Sequence, residues 1–392
     1  MAPAFEVAGV LNAHWPQVQH SGNYNSWQLR TLDAVRRCRT ASLGSHVDGC
    51  SSCGHLRISY NSCRNRHCPK CQGQQRDKWI QAREAEVLPV PYFHVVFTLP
   101  DSLNRLCLYK PAVLYNLLFT TAWSVLNSFG NDQKWLGAGT GMISILHTWG
   151  QTMTLHPHLH CIVPGGGLTK QGKWKTAKSD GKYLFNVKAM SKVYRGRFID
   201  ALRQQLPAEL TKELLRTLYK QQWVVYAKDA FMGPQSVIEY LGRYTHKIAI
   251  SNHRIQHIAA DGKVVFSYKD YKQGNVKKTM TLEGPEFIRR FSLHILPKGF
   301  VRIRHFGICS SSTKQKNILV IKQQLPVAAE RPCANKVTRE PYNRKQCPCC
   351  KKETMETVMR FNRRGPPPDW MKMATDLLNC IGLPSDQKNI AV

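Results

Sequence analysis

Apolar residues recur along the chain with two periods. Where they fall three and four apart, the pattern predicts helices. Residues 27–42 carry Leu29, Leu32, Val35 and Ala41 at that spacing, with Asn25 or Ser26 placed to cap the helix. Residues 111–129, through Leu114, Leu117, Leu118 and Val125, predict the most apolar helix and hence core. Segments 72–87, 190–205, 207–221 and 283–293 read as helices too, and Gly233-Pro234 opens one carrying Val237, Ile238 and Leu241. Period-two and β-branched runs predict strands at 92–99, bounded by Pro91 and Pro100, and at 143–148, 158–163, 223–227, 248–253 and 302–306. Asp261-Gly262 marks a hairpin between 254–259 and 264–268, and 173–175 with 183–186 read as a shorter one. The mixture is α+β.

One strand carries unusual side chains. In His158-Leu159-His160-Cys161-Ile162-Val163, alternation puts His158 and His160 on one face and Leu159, Cys161 and Val163 on the other. Two imidazoles on a stiff element are neighbouring metal ligands, and the apolar face is left for a core. The run Gly165-Gly166-Gly167 lets the backbone turn sharply or approach a ligand. If the strand before it continues to Gln151, then His147, Trp149 and Gln151 share a face. Gln151 is the nominated third ligand, with its amide oxygen beside the imidazoles, and His147 is its rival.

Composition narrows the class. Of 392 residues, 42 % are apolar, and no run is long enough for a membrane span. The first residues lack the layout of a secretory signal, so a cytoplasmic, nucleoid-associated protein is expected. Lys and Arg number 56 against 25 Asp and Glu, a net charge of +31 spread over the chain. That excess calls for a polyanionic partner, and nucleic acid fits best. A non-catalytic regulator or an RNA-binding protein would carry the same charge.

The 14 cysteines, many in Cys-x-x-Cys pairs, point to metal rather than to disulfides. Cys50/Cys53 and Cys68/Cys71 are two knuckles separated by fourteen residues, predicted to close one structural Zn²⁺ tetrahedron. Cys63 and His67 are spare donors for that site or another. Arg64, Arg66 and Lys70 surround the knuckles as candidate DNA contacts. Cys347-Pro348-Cys349-Cys350 offers half a further site, with Cys333 or Cys309 as conceivable partners. The divisions are a helical and zinc-binding module over 1–90, a second domain over 91–325 and a basic, partly flexible tail over 326–392.

Tyr240 and Tyr244 lie four apart on the predicted helix after Pro234, on one face. Both phenols could face the metal of the His pair. A cation beside a scissile phosphate withdraws charge from its non-bridging oxygens. A tyrosine oxygen can then displace a 3′-hydroxyl and leave a 5′-phosphotyrosine. An otherwise oxygen-liganded site with two imidazoles suits Mg²⁺ or Mn²⁺. Arg243, Lys247, Arg302 and Arg304 are candidate phosphate contacts, and Trp149 or Trp174 could stack on unpaired bases.

The ordered set resembles the rolling-circle transposases of the insertion-sequence 91 family, within the His-hydrophobe-His (HUH) endonucleases. The resemblance runs from Ser62-Cys63-Arg64-Asn65-Arg66-His67-Cys68-Pro69 through His147-Thr148-Trp149-Gly150-Gln151 and His156-Pro157-His158-Leu159-His160 to Tyr240-Leu241-Gly242-Arg243-Tyr244. It implies an antiparallel sheet of about five strands with helices mainly on one side. It implies His158 and His160 as metal ligands and Tyr240 and Tyr244 as nucleophiles, with Tyr244 favoured if one suffices. The implied partners are single-stranded DNA at element ends and target DNA, with no membrane and a homo-oligomer admitted. A replication initiator would share this chemistry and differ in its substrate.

Overall fold

The computed structural model describes residues 3–73, 79–80, 86–177, 184–231, 237, 242, 247–325 and 343–380. Its strands are β1 (Ser45–Cys50), β2 (Leu56–Tyr60), β3 (Tyr92–Thr98), β4 (Gly141–Trp149), β5 (Leu155–Pro164), β6 (Gly166–Leu168) and β7 (Trp174–Thr176). Then come β8 (Val225–Phe231), β9 (Ile255–Ile258), β10 (Val264–Asp270), β11 (Val276–Leu282), β12 (Ile303–Gly307) and β13 (Met355–Phe361).

The central sheet has five antiparallel strands in the order β12-β4-β5-β3-β8. Alternation gives it two different faces. Phe93, Val95, Phe97, Leu146, Leu159, Cys161 and Val163 point into the largest core, against helices Pro111–Asn131 and Val187–Gln205. Burying each large side chain contributes about 1.5–3 kcal/mol. On the other face Tyr92, Ile145 and Ile162 pack with Val237, Ile308 and Ile321, so this side is partly covered as well.

The helix at Ser26–Arg36 begins where its cap was expected. The Asn25 side chain accepts from the Gln28 N–H, and the Gln28 side chain accepts from the Asn25 N–H. It ends six residues short of the predicted 42, because Arg39 adopts a left-handed φ of 59° that a right-handed helix cannot propagate. The hairpin around Asp261-Gly262 forms as β9–β10, and β11, which the pattern did not reveal, extends it to three strands. Residues 248–253 are not a strand. Ala249 and Ile250 are buried among Leu32, Val35 and Phe291, so their apolar character reflects loop packing. β7 pairs with β6 rather than with 183–186, where residue 183 lies outside the described residues. The glycine run serves that pairing. A Cβ on Gly166 would run into the Trp174 ring and stand 2.6 Å from the Lys175 carbonyl, so the glycine admits the close approach of β7.

The C-terminal segment joins the N-terminal sheet. Within 343–380 the chain is folded: β13 pairs with β1, which also pairs with β2. Helix Trp370–Cys380 lies over that sheet, where a Cβ on Gly49 would meet Leu378. Among the described residues no helix is long and apolar enough to cross a membrane.

Candidate metal centres

β4, β5 and β3 bring four histidines together. His147 is directly opposite His158, Ile145 opposite His160 and Val96 opposite His160, so His147, His158, His160 and His94 share the face away from the main core. His147, His158 and His160 each offer a ring nitrogen within 4.8 Å of the others. The Nε2 atoms of His158 and His160 are 3.2 Å apart. The second nitrogens are engaged behind them: His158 Nδ1 donates to the His156 carbonyl at 2.7 Å, and His160 Nδ1 pairs with His94 Nε2 at 2.9 Å. Such outer bonds fix the tautomer and aim the remaining lone pair at a shared point. Burial disfavours a proton on His158, His94 and His160. It pushes His158 down to about 4 despite the opposing His156 carbonyl, and His94 to about 3. His160 falls well below the ordinary histidine value through burial first, then the charges of His147, His158, His94 and Lys247.

Gln151 does not join them. β4 ends at Trp149, with an irregularity after His147, and Gln151 falls in the following turn. Its Nε2 donates to the Tyr271 hydroxyl at 3.0 Å and its Oε1 accepts from the Lys269 N–H at 3.3 Å. The register brings in its rival His147, against which Trp149 stacks at 4.6 Å. That stacking leaves Trp149 occupied by protein, and Trp174 is packed on Gly166. His94 was missed. Its signal was available: a histidine in an apolar strand, in phase with the face opposite Phe93 and Val95.

Among the described residues the cysteines form two four-sulfur clusters, and neither is the expected tetrahedron of Cys50, Cys53, Cys68 and Cys71. Cys38, Cys63, Cys68 and Cys71 place their sulfurs within 4.8 Å of one another, and so do Cys50, Cys53, Cys347 and Cys350. The two sequence knuckles thus divide. Cys68/Cys71 turns toward Cys38 and Cys63 in the core beneath the N-terminal helices, while Cys50/Cys53, at the end of β1, meets the knuckle beside β13. In the first cluster Cys71 lies 3.6 Å from Cys38 and 3.7 Å from Cys63. Hydrogen bonds with the Cys63 and Cys68 thiols bring Cys38 down to about 7. Four sulfurs at this spacing fit a ZnS₄ tetrahedron, whose edges are ~3.8 Å for ~2.3 Å bonds. His67 is not a member. It lines a small buried cavity with Trp149, His294 and Arg302. Cys309 packs with Ile308 and Ile321, away from the second cluster, and Cys333 lies outside the described residues.

The expected basic contacts separate into exposed and internal. Arg66 donates to the carbonyls of Pro297 and Phe300, fastening the N-terminal module to the segment just before β12. Arg302 is buried and donates to the Lys247 carbonyl at 2.9 Å, which makes it a strut rather than a surface cation. Arg304 lies 4.2 Å over the Phe119 ring, and Lys70 pairs with Glu6 at 2.6 Å. Arg64 and Lys247 are exposed. Tyr240, Arg243 and Tyr244 lie outside the described residues.

The sequence matches the family model described as "Transposase zinc-binding domain" over residues 10–99, and that described as "Putative transposase" over residues 141–317. It is 39 % identical to "Putative transposase y4qJ" of Sinorhizobium fredii, over 93 % of this chain and 98 % of that protein. The chain belongs to the IS91 family of transposases. It is also 27 % identical to the "Transposase for insertion sequence element IS801" of Pseudomonas savastanoi pv. phaseolicola, over 85 % of this chain and 83 % of that protein. In this IS91-family chain the zinc-binding match contains the whole Cys38–Cys63–Cys68–Cys71 cluster. That family match and the tetrahedral sulfur spacing support structural Zn²⁺. The transposase match contains His147, His158 and His160.

Proposed function

We propose that this chain nicks and rejoins single-stranded DNA at the ends of a mobile element, through tyrosine attack on a phosphodiester. The observation that carries the reading is the His147–His158–His160 cluster, set on a sheet face to which the chain returns on both sides of Tyr240 and Tyr244. Val237 is buried on that face with Ile145 and Ile162. At helical spacing, positions 237, 240 and 244 form one stripe. Gly242 would fall on the opposite side of such a helix, and it lies against Ile80. Three residues past Tyr244, Lys247 is close enough to disfavour a proton on His160.

The residues then take these roles. His147, His158 and His160 would hold the divalent cation, Mn²⁺ or Mg²⁺, which supplies charge withdrawal from the non-bridging phosphate oxygens. Three nitrogen donors favour Mn²⁺ over Mg²⁺. His94 and the His156 carbonyl hold two of the rings in register. The Tyr244 or Tyr240 phenol loses its proton, and its oxygen bonds to phosphorus as the bond to the 3′ oxygen breaks. The departing 3′ oxygen takes up a proton, leaving a 5′-phosphotyrosine that retains the energy needed for rejoining. A second tyrosine allows a second strand transfer. Arg64, Arg243 and Lys247 contact the phosphate backbone, and the +31 charge strengthens that association at low salt.

The test is a denaturing gel of the full chain with a single-stranded oligonucleotide carrying the element end, labelled 3′ of the cut. With Mn²⁺ a covalent adduct is expected, and Tyr240→Phe/Tyr244→Phe abolishes it. An adduct that persists in the double variant, or none with either metal, overturns the reading.

A further inference from the structure

We infer that Cys50, Cys53, Cys347 and Cys350 hold a second structural zinc ion, which fastens the far end of the chain onto the N-terminal sheet. Neither family match contains this set: one ends at residue 99 and the other at 317. The sulfurs of Cys50 and Cys350 are 3.6 Å apart, and those of Cys53 and Cys347 are 3.7 Å apart. These lengths match the ~3.8 Å edge of a ZnS₄ tetrahedron and are far longer than the ~2.0 Å of a disulfide. All four sulfurs lie within 4.8 Å of one another.

The backbone around the two halves repeats. The Cys50 N–H donates to the His55 carbonyl and the Gly54 N–H to the Cys50 carbonyl, at 2.9 and 3.0 Å. Three hundred residues on, the Cys347 N–H donates to the Lys352 carbonyl and the Lys351 N–H to the Cys347 carbonyl, at 2.8 and 3.0 Å. The fourth residue after each leading cysteine is left-handed, Gly54 at φ 72° and Lys351 at φ 63°. Glycine adopts that conformation freely, whereas a lysine there is strained and must be held by its surroundings. Two tight turns of one design, presenting two thiols each to a common centre, are the halves of a closed structural site.

The surroundings contribute little apolar packing. Met355 is the buried non-cysteine member of the local cluster. A polar anchor stands beside it. The buried Asp48 carboxylate accepts from the Thr357 hydroxyl at 2.7 Å, with Arg57 at 3.2 Å and Arg344 at 3.5 Å. Threonine and Arg344 come from the C-terminal segment, so β1 receives that segment through strand pairing, this carboxylate and the metal together. Without the ion, four thiols would crowd where apolar contacts are few.

Metal analysis of the full-length protein decides the matter. Two zinc ions per chain are expected in the wild type, and one in Cys347→Ser/Cys350→Ser, with the survivor at Cys38, Cys63, Cys68 and Cys71. Titrating the chelator-stripped wild type with Co²⁺ should raise thiolate charge-transfer absorbance to saturation at two equivalents. One zinc and one cobalt equivalent in the wild type, or two zinc ions retained in the double variant, overturns the inference. The wild-type stoichiometry stands even if the variant does not fold.

Discussion

The Cys38–Cys63–Cys68–Cys71 cluster and the His147–His158–His160 cluster are built on opposite principles. Four thiols supply a full tetrahedron of donors, whereas three imidazoles supply one donor fewer. The cysteines come from the residues after a helix and from loops that have no regular structure of their own. The histidines ride on strands paired on both sides, with Leu159 and Cys161 locked in the core behind them. One site needs its metal to have a shape, while the other has its shape first. The difference is between donors gathered from irregular chain and donors fixed in advance by a paired sheet.

The contrast can be broken most directly by removing metal. Structural zinc contributes on the order of 10–16 kcal/mol in isolated finger peptides. Cys63→Ser should therefore abolish hydrogen-exchange protection in residues 26–43 and 61–71 around its cluster. Amides of β3, β4 and β5 should stay protected. Loss of protection across both regions would show that the sheet leans on the same zinc.

The next effect concerns aim rather than fold. His94→Phe removes the partner of His160 Nδ1 and should weaken Mn²⁺ binding by roughly 10–100-fold, read by calorimetry, with little change in thermal midpoint. Gln151→Ala should stay near wild type, since its amide serves Lys269 and Tyr271. If the two variants exchanged phenotypes, the assignment of His147 over Gln151 would fail.

A further effect, of similar size, is titratable. His294 is fully buried between Thr148 and the Met153 carbonyl, and burial lowers it to about 4 although that carbonyl opposes the shift. Its unfolded value is near 6.5, so the unfolded chain binds the extra proton between these limits. The stability it confers is full above about pH 6.5 and drains away as pH falls toward 4, by about 1–3 kcal/mol. Denaturant titrations of His294→Gln should show a correspondingly shallower dependence over that interval; an unchanged slope would assign the acid sensitivity elsewhere.

Much of this was legible from period alone. Alternation placed His158 and His160 on one face, and the strands at 92–99, 143–148 and 158–163 became β3, one residue shorter, and β4 and β5, each slightly extended. Spacing could identify each Cys-x-x-Cys knuckle because a knuckle is local. It could not say which knuckles meet, since Cys50 finds Cys350 through the pairing of β1 with β13. Gln151 misled because the reading assumed an unbroken strand, and one irregularity after His147 suffices to turn the chain away. Arg302 looked cationic and external by alternation, yet the strand begins one residue later and its side chain runs inward.

The strand order β13-β1-β2 also carries a consequence for biosynthesis. β1 emerges from the ribosome with one edge satisfied by β2, and the partner for its other edge begins only at Met355. At about 5–20 residues per second, roughly a quarter to a whole minute passes before that partner is made. Throughout that wait the half-built N-terminal sheet offers a bare edge to any passing strand, so a message truncated before codon 355 would release a chain prone to sticking to its neighbours.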